Sequence, residues 1–398
     1  MKEARKIMIE VVVTLLAVAT ASCVSDGERR VVASWKAEVE KSDITAATRQ
    51  WADSMAMTMD TAALAAQTLM PAVYAVDDVW TMRQLAGYAE RGVGGIILLK
   101  GNTSAAAHIA DTLSQISRVP PFMAIDAEWG LHMRLEDAPA FPANGRLSPK
   151  VEDQLMYEYG REVARECRQI GIDMVLGPVL DVSDSNTFIG MRSLGGDPRR
   201  VSELGLAYGR GLHDGNVVAV AKHFPGHGCV GTDSHHGKGM VMASLQRLDT
   251  VDLVPFRAWT EAGMPAVMAG HLAVPAIDSR MLPAAVSPTV IGDLLRGDLR
   301  FDGLVLTDAL NMGGAEGYGA DKALAAGADI VLAPADTDRE ISNVINAVRE
   351  GRLTMEQLRR HVARILFYKL LYRQTESESL APIRVKATDS IASRLSGR

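Results

Sequence analysis

Between Lys222 and His235 the chain places a cation, three imidazoles and a carboxylate within fourteen residues: Lys222, His223, His227, Asp233 and His235. Glycines at 226, 228, 231, 237 and 239 punctuate this stretch, and glycine tolerates the backbone changes that a moving loop requires. Further along, the lone acid Asp308 closes the apolar run Gly303-Leu304-Val305-Leu306-Thr307. A mobile acid/base group and a separate carboxylate fixed at a strand end are what retaining glycoside hydrolysis needs.

Each of these residues also has a plainer reading. A carboxylate at a buried strand end is placed as a nucleophile when donors keep it ionised, but Asp308 equally suits the cap of a following helix. Asp233 and His235 alternate, so a looped backbone can bring the carboxylate against the imidazole and support its protonated form. The plainer reading there is a surface polar loop. Arg192 is either a fork for sugar hydroxyls or acyl oxygens, or a loop arginine paired with Asp197. Gly226 to Gly231 matches GxGxxG spacing, but Thr232-Asp233-Ser234-His235-His236-Gly237 does not open a helix, so no dinucleotide site is expected. The histidines at 223, 227, 235 and 236 lack a strong set of carboxylate co-ligands, so no metal is expected, nor any cofactor.

Eight short apolar runs are available to position these groups: Leu69 to Ala75, Gly95 to Leu99, Pro121 to Asp126, Asp173 to Pro178, Val217 to His223, Ala266 to His271, Gly303 to Asp308 and Asp329 to Pro334. Continuous apolar runs of this length mark parallel strands buried on both faces. Helical patterns separate most of them, for example over Val151 to Ile170, Arg200 to Asp214, Pro288 to Leu299 and Asp338 to Glu350. The alternation predicts an α/β fold, a (β/α)8 TIM barrel forming a single catalytic domain, with a doubly wound open sheet as the alternative. Asp126, His223, His271 and Asp308 each end a run. In such a barrel all strand C-termini meet at one face, where active sites are built. Long connections over residues 127–150, 179–200 and 224–250 leave that same face.

The chain of 398 residues carries a formal net charge of -6 and no long basic stretch, which excludes nucleic acid as an expected partner. Lys2, Arg5 and Lys6 precede the apolar stretch Val11 to Ala19 and the small residues Thr20-Ala21-Ser22, the pattern of an export signal. Cys23 follows directly, so the mature chain is expected to begin at a lipidated cysteine, as in an exported bacterial lipoprotein, periplasmic or held at the outer membrane. That lipid is the only membrane contact expected, and no protein partner is evident. The remaining cysteines, Cys167 and Cys229, do not make a disulfide framework. The expected organisation is a signal over residues 1–22, a polar tether over 23–45, the barrel over 46–372, whose last helix runs from Leu353 to Tyr372, and a polar, frayed tail over 373–398.

Taken together, Lys222-His223-Phe224-Pro225-Gly226-His227-Gly228, Asp233-Ser234-His235, Ile125-Asp126-Ala127-Glu128-Trp129-Gly130, Gly177 to Val182, the Arg192 segment and Leu306 to Met312 resemble glycoside hydrolase family 3. The closest likeness is to its single-barrel β-N-acetylhexosaminidase (NagZ-like) branch, and it runs from about Ala46 to Tyr372. The resemblance implies a retaining exo-β-N-acetylglucosaminidase acting on terminal β-GlcNAc of glycans or peptidoglycan fragments. It implies Asp308 as nucleophile, His235 as acid/base and Asp233 as its orienting partner. It also places Asp126, Arg134, Arg192, Lys222 and His223 around the terminal sugar. A histidine acid/base is unusual, and its neutral form would repel an incoming anion little, so phosphate is an expected competitor of water. A β-glucosidase or other family 3 β-glycosidase is the sister alternative, and a non-catalytic sugar-binding lipoprotein the more distant one. Trp129 and Leu131 depart from the family's usual Asp-Gln-Glu-Gly-Gly-Arg, and Trp129 either stacks on a sugar or caps the barrel.

Overall fold

A computed structural model describes residues 45–147, 149–183, 189–228, 239–312, 315, 317–373 and 385–397. Two compact units are distinguished: residues 1–51, of which 45–51 are described and helical, and residues 52–398, to which everything below belongs. The expected signal, Cys23 and nearly all of the tether lie outside the described residues, as do Cys229, Asp233 and His235. No described helix is long and apolar enough to cross a membrane.

All eight apolar runs contain strand. They give β1 (Leu69–Met70), β2 (Ala72–Ala75), β3 (Gly95–Gly101), β4 (Phe122–Ile125), β5 (Met174–Val175), β6 (Val218–Phe224), β8 (Ala266–Ala269), β10 (Leu304–Thr307) and β11 (Val331–Leu332). Two additional short strands, β7 (Gly239–Met240) and β9 (Leu272–Ala273), pair with each other. Seven strands form one parallel sheet in the order β10-β8-β6-β5-β4-β3-β2. Pro71 alone separates β1 from β2, and β1 pairs in parallel with β11, next to which Ile330 bridges to Leu306 of β10.

Alternation along each strand sends side chains to two layers. Ile97, Phe122, Ala124, Met174, Val218, Val220, Met268, Leu304, Leu306 and Leu332 meet in an inner cluster, joined by Ile365 and Tyr372 from the C-terminal region. Their neighbours Ile96, Leu98, Met123, Ile125, Val175, Ala219, Val267 and Val305 point outward into the larger core shared with the helices. The main helices are α1 (Thr61–Gln67), α2 (Val79–Arg91), α3 (Thr103–Ile116), α4 (Asp153–Gln169), α5 (Pro198–Asp214), α6 (Val254–Glu261), α7 (Ala320–Ala326), α8 (Thr337–Arg349), α9 (Met355–Leu371) and α10 (Val385–Leu395). The segment Thr289–Asp298 is π-helical. Several helix starts are capped as their sequences require: Asp78 accepts from Thr81 N at 2.7 Å, Asn102 from Ala105 N at 2.9 Å, and Thr354 with Gln357 forms a reciprocal capping box.

The expectation of a frayed tail over 373–398 is corrected by α10 for residues 385–395, while residues 374–384 lie outside the described residues. Thr388 and Leu395 are buried, with Ile391 and Ala392 packed between them on one face. Thr388 Oγ1 donates to Glu162 of α4 at 2.6 Å, and Arg394 pairs with Glu158 at 2.8 Å. A thin apolar stripe at helical spacing, plus partners on another helix, suffices to order a segment whose composition is mostly polar.

Candidate active site

Asp126 directly follows β4, and Glu128 lies two residues on, so an extended backbone turns both carboxylates to the same side. Lys222, on β6, reaches between them: its Nζ stands 2.8 Å from Asp126 Oδ1 and 2.7 Å from Glu128 Oε1. Arg134 donates to the other oxygen of Asp126. Arg192 grips Glu128 as a fork, Nη2 to Oε1 at 2.7 Å and Nε to Oε2 at 3.0 Å. The alternative pairing of Arg192 with Asp197 is thereby excluded; Asp197 instead caps α5, accepting from Arg199 N at 3.0 Å.

These charges hold one another in their ionised forms. Burial alone would raise Asp126 and Glu128, but Lys222 with Arg134 outweighs it at Asp126, which falls well below the usual carboxylate range. Lys222 with Arg192 brings Glu128 down to about 2. Burial pushes Lys222 down, and the two carboxylates more than restore it.

A second buried carboxylate, Asp181, organises the histidines. Its Oδ2 accepts a hydrogen bond from His223 Nδ1 at 2.7 Å, and its Oδ1 accepts from the backbone N–H groups of His223 at 3.2 Å and His227 at 2.7 Å. With Nδ1 committed as donor, His223 Nε2 is left to accept from Arg192 Nη2 at 3.2 Å, which assigns the tautomer from its partners. Burial raises Asp181, and His223 more than offsets it, to about 2. The turn that follows is close-packed: a Cβ at Gly228 would stand 1.9 Å from the Val182 carbonyl oxygen, and Gly226 has φ +126°.

Asp308 follows β10. Its backbone N–H bonds to Ala269 O at 2.9 Å, and its Oδ1 accepts from Ala309 N at 2.8 Å. Burial raises it, but His223 and His271 prevail and hold it below its ordinary value. His271 is itself buried, which lowers its pKa, and its Nε2 stands 3.1 Å from Ala309 O. The chain turns after Asp308, and the next described helix begins only at Ala320, so the helix-cap reading of Asp308 does not hold.

A cavity of about 400 Å³ collects these groups. Asp126, Glu128, Arg134, Arg192, Lys222, His223, His227 and Asp308 line it together with the apolar Ile97, Leu99, Leu176, Met268 and Leu332. Two larger depressions, of about 530 and 590 Å³, lie away from these strand ends and hold none of these side chains. All six described residues expected at the site converge here; Asp233 and His235 lie outside the described residues. Glu128 and Asp181 were not expected as site residues. Both had a readable signal: an acid two residues past Asp126, and an acid between Leu180 and Val182. Trp129 is not among the residues lining the cavity. The fixed donors and acceptors suit a neutral polyhydroxylated ring, with Asp308 as the carboxylate that has acceptor capacity left.

Comparison with known proteins bears on this geometry. The model of the glycosyl hydrolase family 3 N-terminal domain matches residues 68–367. A β-hexosaminidase of Chromobacterium violaceum is 38% identical over 256 residues, covering 60% of this chain and 71% of that protein. The solved structure of a family 3 β-N-acetylglucosaminidase from a Paenibacillus strain superposes with a TM-score of 0.75 at 31% identity, covering 85% of this chain and 68% of that one. M tuberculosis LpqI is 31% identical with a TM-score of 0.69, covering 79% of this chain and 95% of that one.

Proposed function

The chain belongs to glycosyl hydrolase family 3, and from that footing we propose that it is a retaining exo-β-N-acetylglucosaminidase, releasing terminal β-GlcNAc from glycans or peptidoglycan fragments. The observation that carries this reading is Asp308, ionised, at the edge of a cavity of about 400 Å³ whose remaining charges are already paired. That volume suits one sugar ring. In the first step an Asp308 oxygen bonds to the anomeric carbon as the glycosidic bond breaks, and the leaving oxygen takes a proton from His235. In the second, water attacks the same carbon, gives its proton to His235 and releases Asp308. Asp233 orients His235. Asp126, Arg134, Lys222, Arg192 and His223 hold the hydroxyls of the terminal ring, with Glu128 fixing Lys222 and Arg192 and Asp181 fixing His223 in place.

The sheet is read as a closed eight-stranded barrel, with residues 69–75 as one strand interrupted at Pro71. Support comes from β1 pairing with β11 while β2 pairs with β3, and a crystal structure with an open gap between β2 and β11 would refute it.

The deciding experiment is release of para-nitrophenol from the β-GlcNAc and β-glucoside substrates by wild type and His235→Ala. Preference for the GlcNAc substrate, with a loss in the variant, is the expected result. Preference for the glucoside would overturn the substrate, and a harmless His235→Ala would overturn the acid/base.

A further inference from the structure

The cavity is not charged all round. Ile97 and Leu99 on β3 and Leu332 on β11 give it an apolar sector. Beside β3, at the end of the seven-stranded sheet, runs β2, whose Tyr74 is 55% exposed. Its neighbours Val73 and Ala75 are buried in the outward, helix-facing core. Ala72 packs against the inner cluster. Alternation therefore turns Tyr74 to the same inward side as Ala72, one step nearer the mouth. Parallel pairing of β2 with β3 sets Val73 against Leu98 and Ala75 against Gly101, with a one-residue irregularity between them, so Tyr74 faces the pair Leu99 and Lys100, of which Leu99 belongs to the cavity wall. Tyr74 itself is exposed and is not part of the cavity lining, so its ring lies outside the cavity, on the strand next to Leu99.

We propose that Tyr74 is the stacking platform for the leaving-group sugar. The inference rests on the glycosidase reading above and adds what lies beyond the scissile bond. The terminal ring is held among the charged groups beside Asp308. The next ring must emerge where the cavity opens, and there the structure offers an aromatic face beside Leu99. A pyranose presents an apolar face of C–H groups to such a ring, and that contact needs no particular hydroxyl pattern. The preferred substrate is then a β-linked oligosaccharide and not a GlcNAc carrying a small, ringless leaving group.

The test compares kcat/KM on two donors, a β-1,4-linked GlcNAc disaccharide and N-acetyl-β-glucosaminyl fluoride, for wild type, Tyr74→Ala and Tyr74→Phe. The expected result is a loss of about two- to tenfold on the disaccharide in Tyr74→Ala, recovery in Tyr74→Phe, and unchanged turnover of the fluoride in both. An equal loss on both donors would show that Tyr74 only shapes the mouth, and no loss on either would remove it from recognition; each overturns the proposal. Wild type that turns over neither donor would instead sink the GlcNAc reading, and this inference with it.

Discussion

Two aspartates flank β10 and are spent differently: the fully buried Asp329, which precedes β11 and meets the start of β10 at Val305, and the half-buried Asp308, which follows Thr307. At the start, Asp329 accepts from His361 Nδ1 at 2.8 Å, Arg364 Nη1 at 2.6 Å, Arg296 Nη2 at 2.7 Å and Val305 N at 2.9 Å. Burial raises it, but Arg364, Arg296 and His361 drive it far below the usual range. At the other end, Asp308 is also held low, yet its carboxylate has one hydrogen bond among the described residues, from Ala309 N, and borders the cavity. A depressed carboxylate is thus no mark of catalysis by itself. Acceptor capacity left over beside open space is what separates Asp308 from that structural knot, and it is what the proposed nucleophile needs.

The comparison is broken or sharpened first by exchanging each aspartate for asparagine. Asp308→Asn is expected to lose at least about a thousandfold in kcat/KM while unfolding at nearly the wild-type temperature. Asp329→Asn is expected to lose about 3–5 kcal/mol of stability in denaturant titration, because two arginines are left facing a neutral group, while the molecules that remain folded turn over normally. Unfolding of the first variant, or an inactive but folded second, would erase the distinction.

A smaller effect belongs to the clamp between these extremes. Arg192→Lys keeps the charge but loses the fork on Glu128 and the bond to His223. Its KM should rise about tenfold with a stability loss of about 1–2 kcal/mol, the two effects together in one residue. The smallest effect concerns pH. Asp329, Glu128 and Asp181 are depressed, so their contributions are complete above the unfolded carboxylate range near pH 4 and drain as pH falls toward 2. Glu166 runs the other way: burial, then Glu162, raise it from 4.5 to about 8, so stability is full below pH 4.5 and is lost as pH rises toward 8. Glu166→Gln should raise the unfolding temperature by about 2–5 °C at pH 8, leave it unchanged at pH 4, and spare activity.

Much of this was legible in the residues. The eight strand runs were readable because strands buried on both faces write themselves as continuous apolar runs, and Asp126, His223 and Asp308 were visible as polar residues closing such runs. Partnerships across the fold were not. Lys222 meets Glu128, and Asp181 meets His223 and His227, over long sequence separations that only folding closes. Arg192 was offered a near neighbour, Asp197, and took a distant one, because a buried guanidinium needs a buried carboxylate while Asp197 was committed to its helix. Helix α10 escaped notice because composition hides so narrow an apolar stripe.

Lys222, 3% exposed and flanked by Asp126 and Glu128, has a consequence for the world outside the pocket. Mobile ions weaken charges that water can reach, over a distance of about 8 Å at ordinary salinity, and weaken dry ones far less. If these residues hold a sugar as proposed, the Lys222–Glu128 contact at the base of that grip, with side chains 3% and 1% exposed, is one that the surrounding medium scarcely enters. Brine or fresh water can alter how the protein's exterior meets its neighbours while leaving the strength of that grip nearly the same.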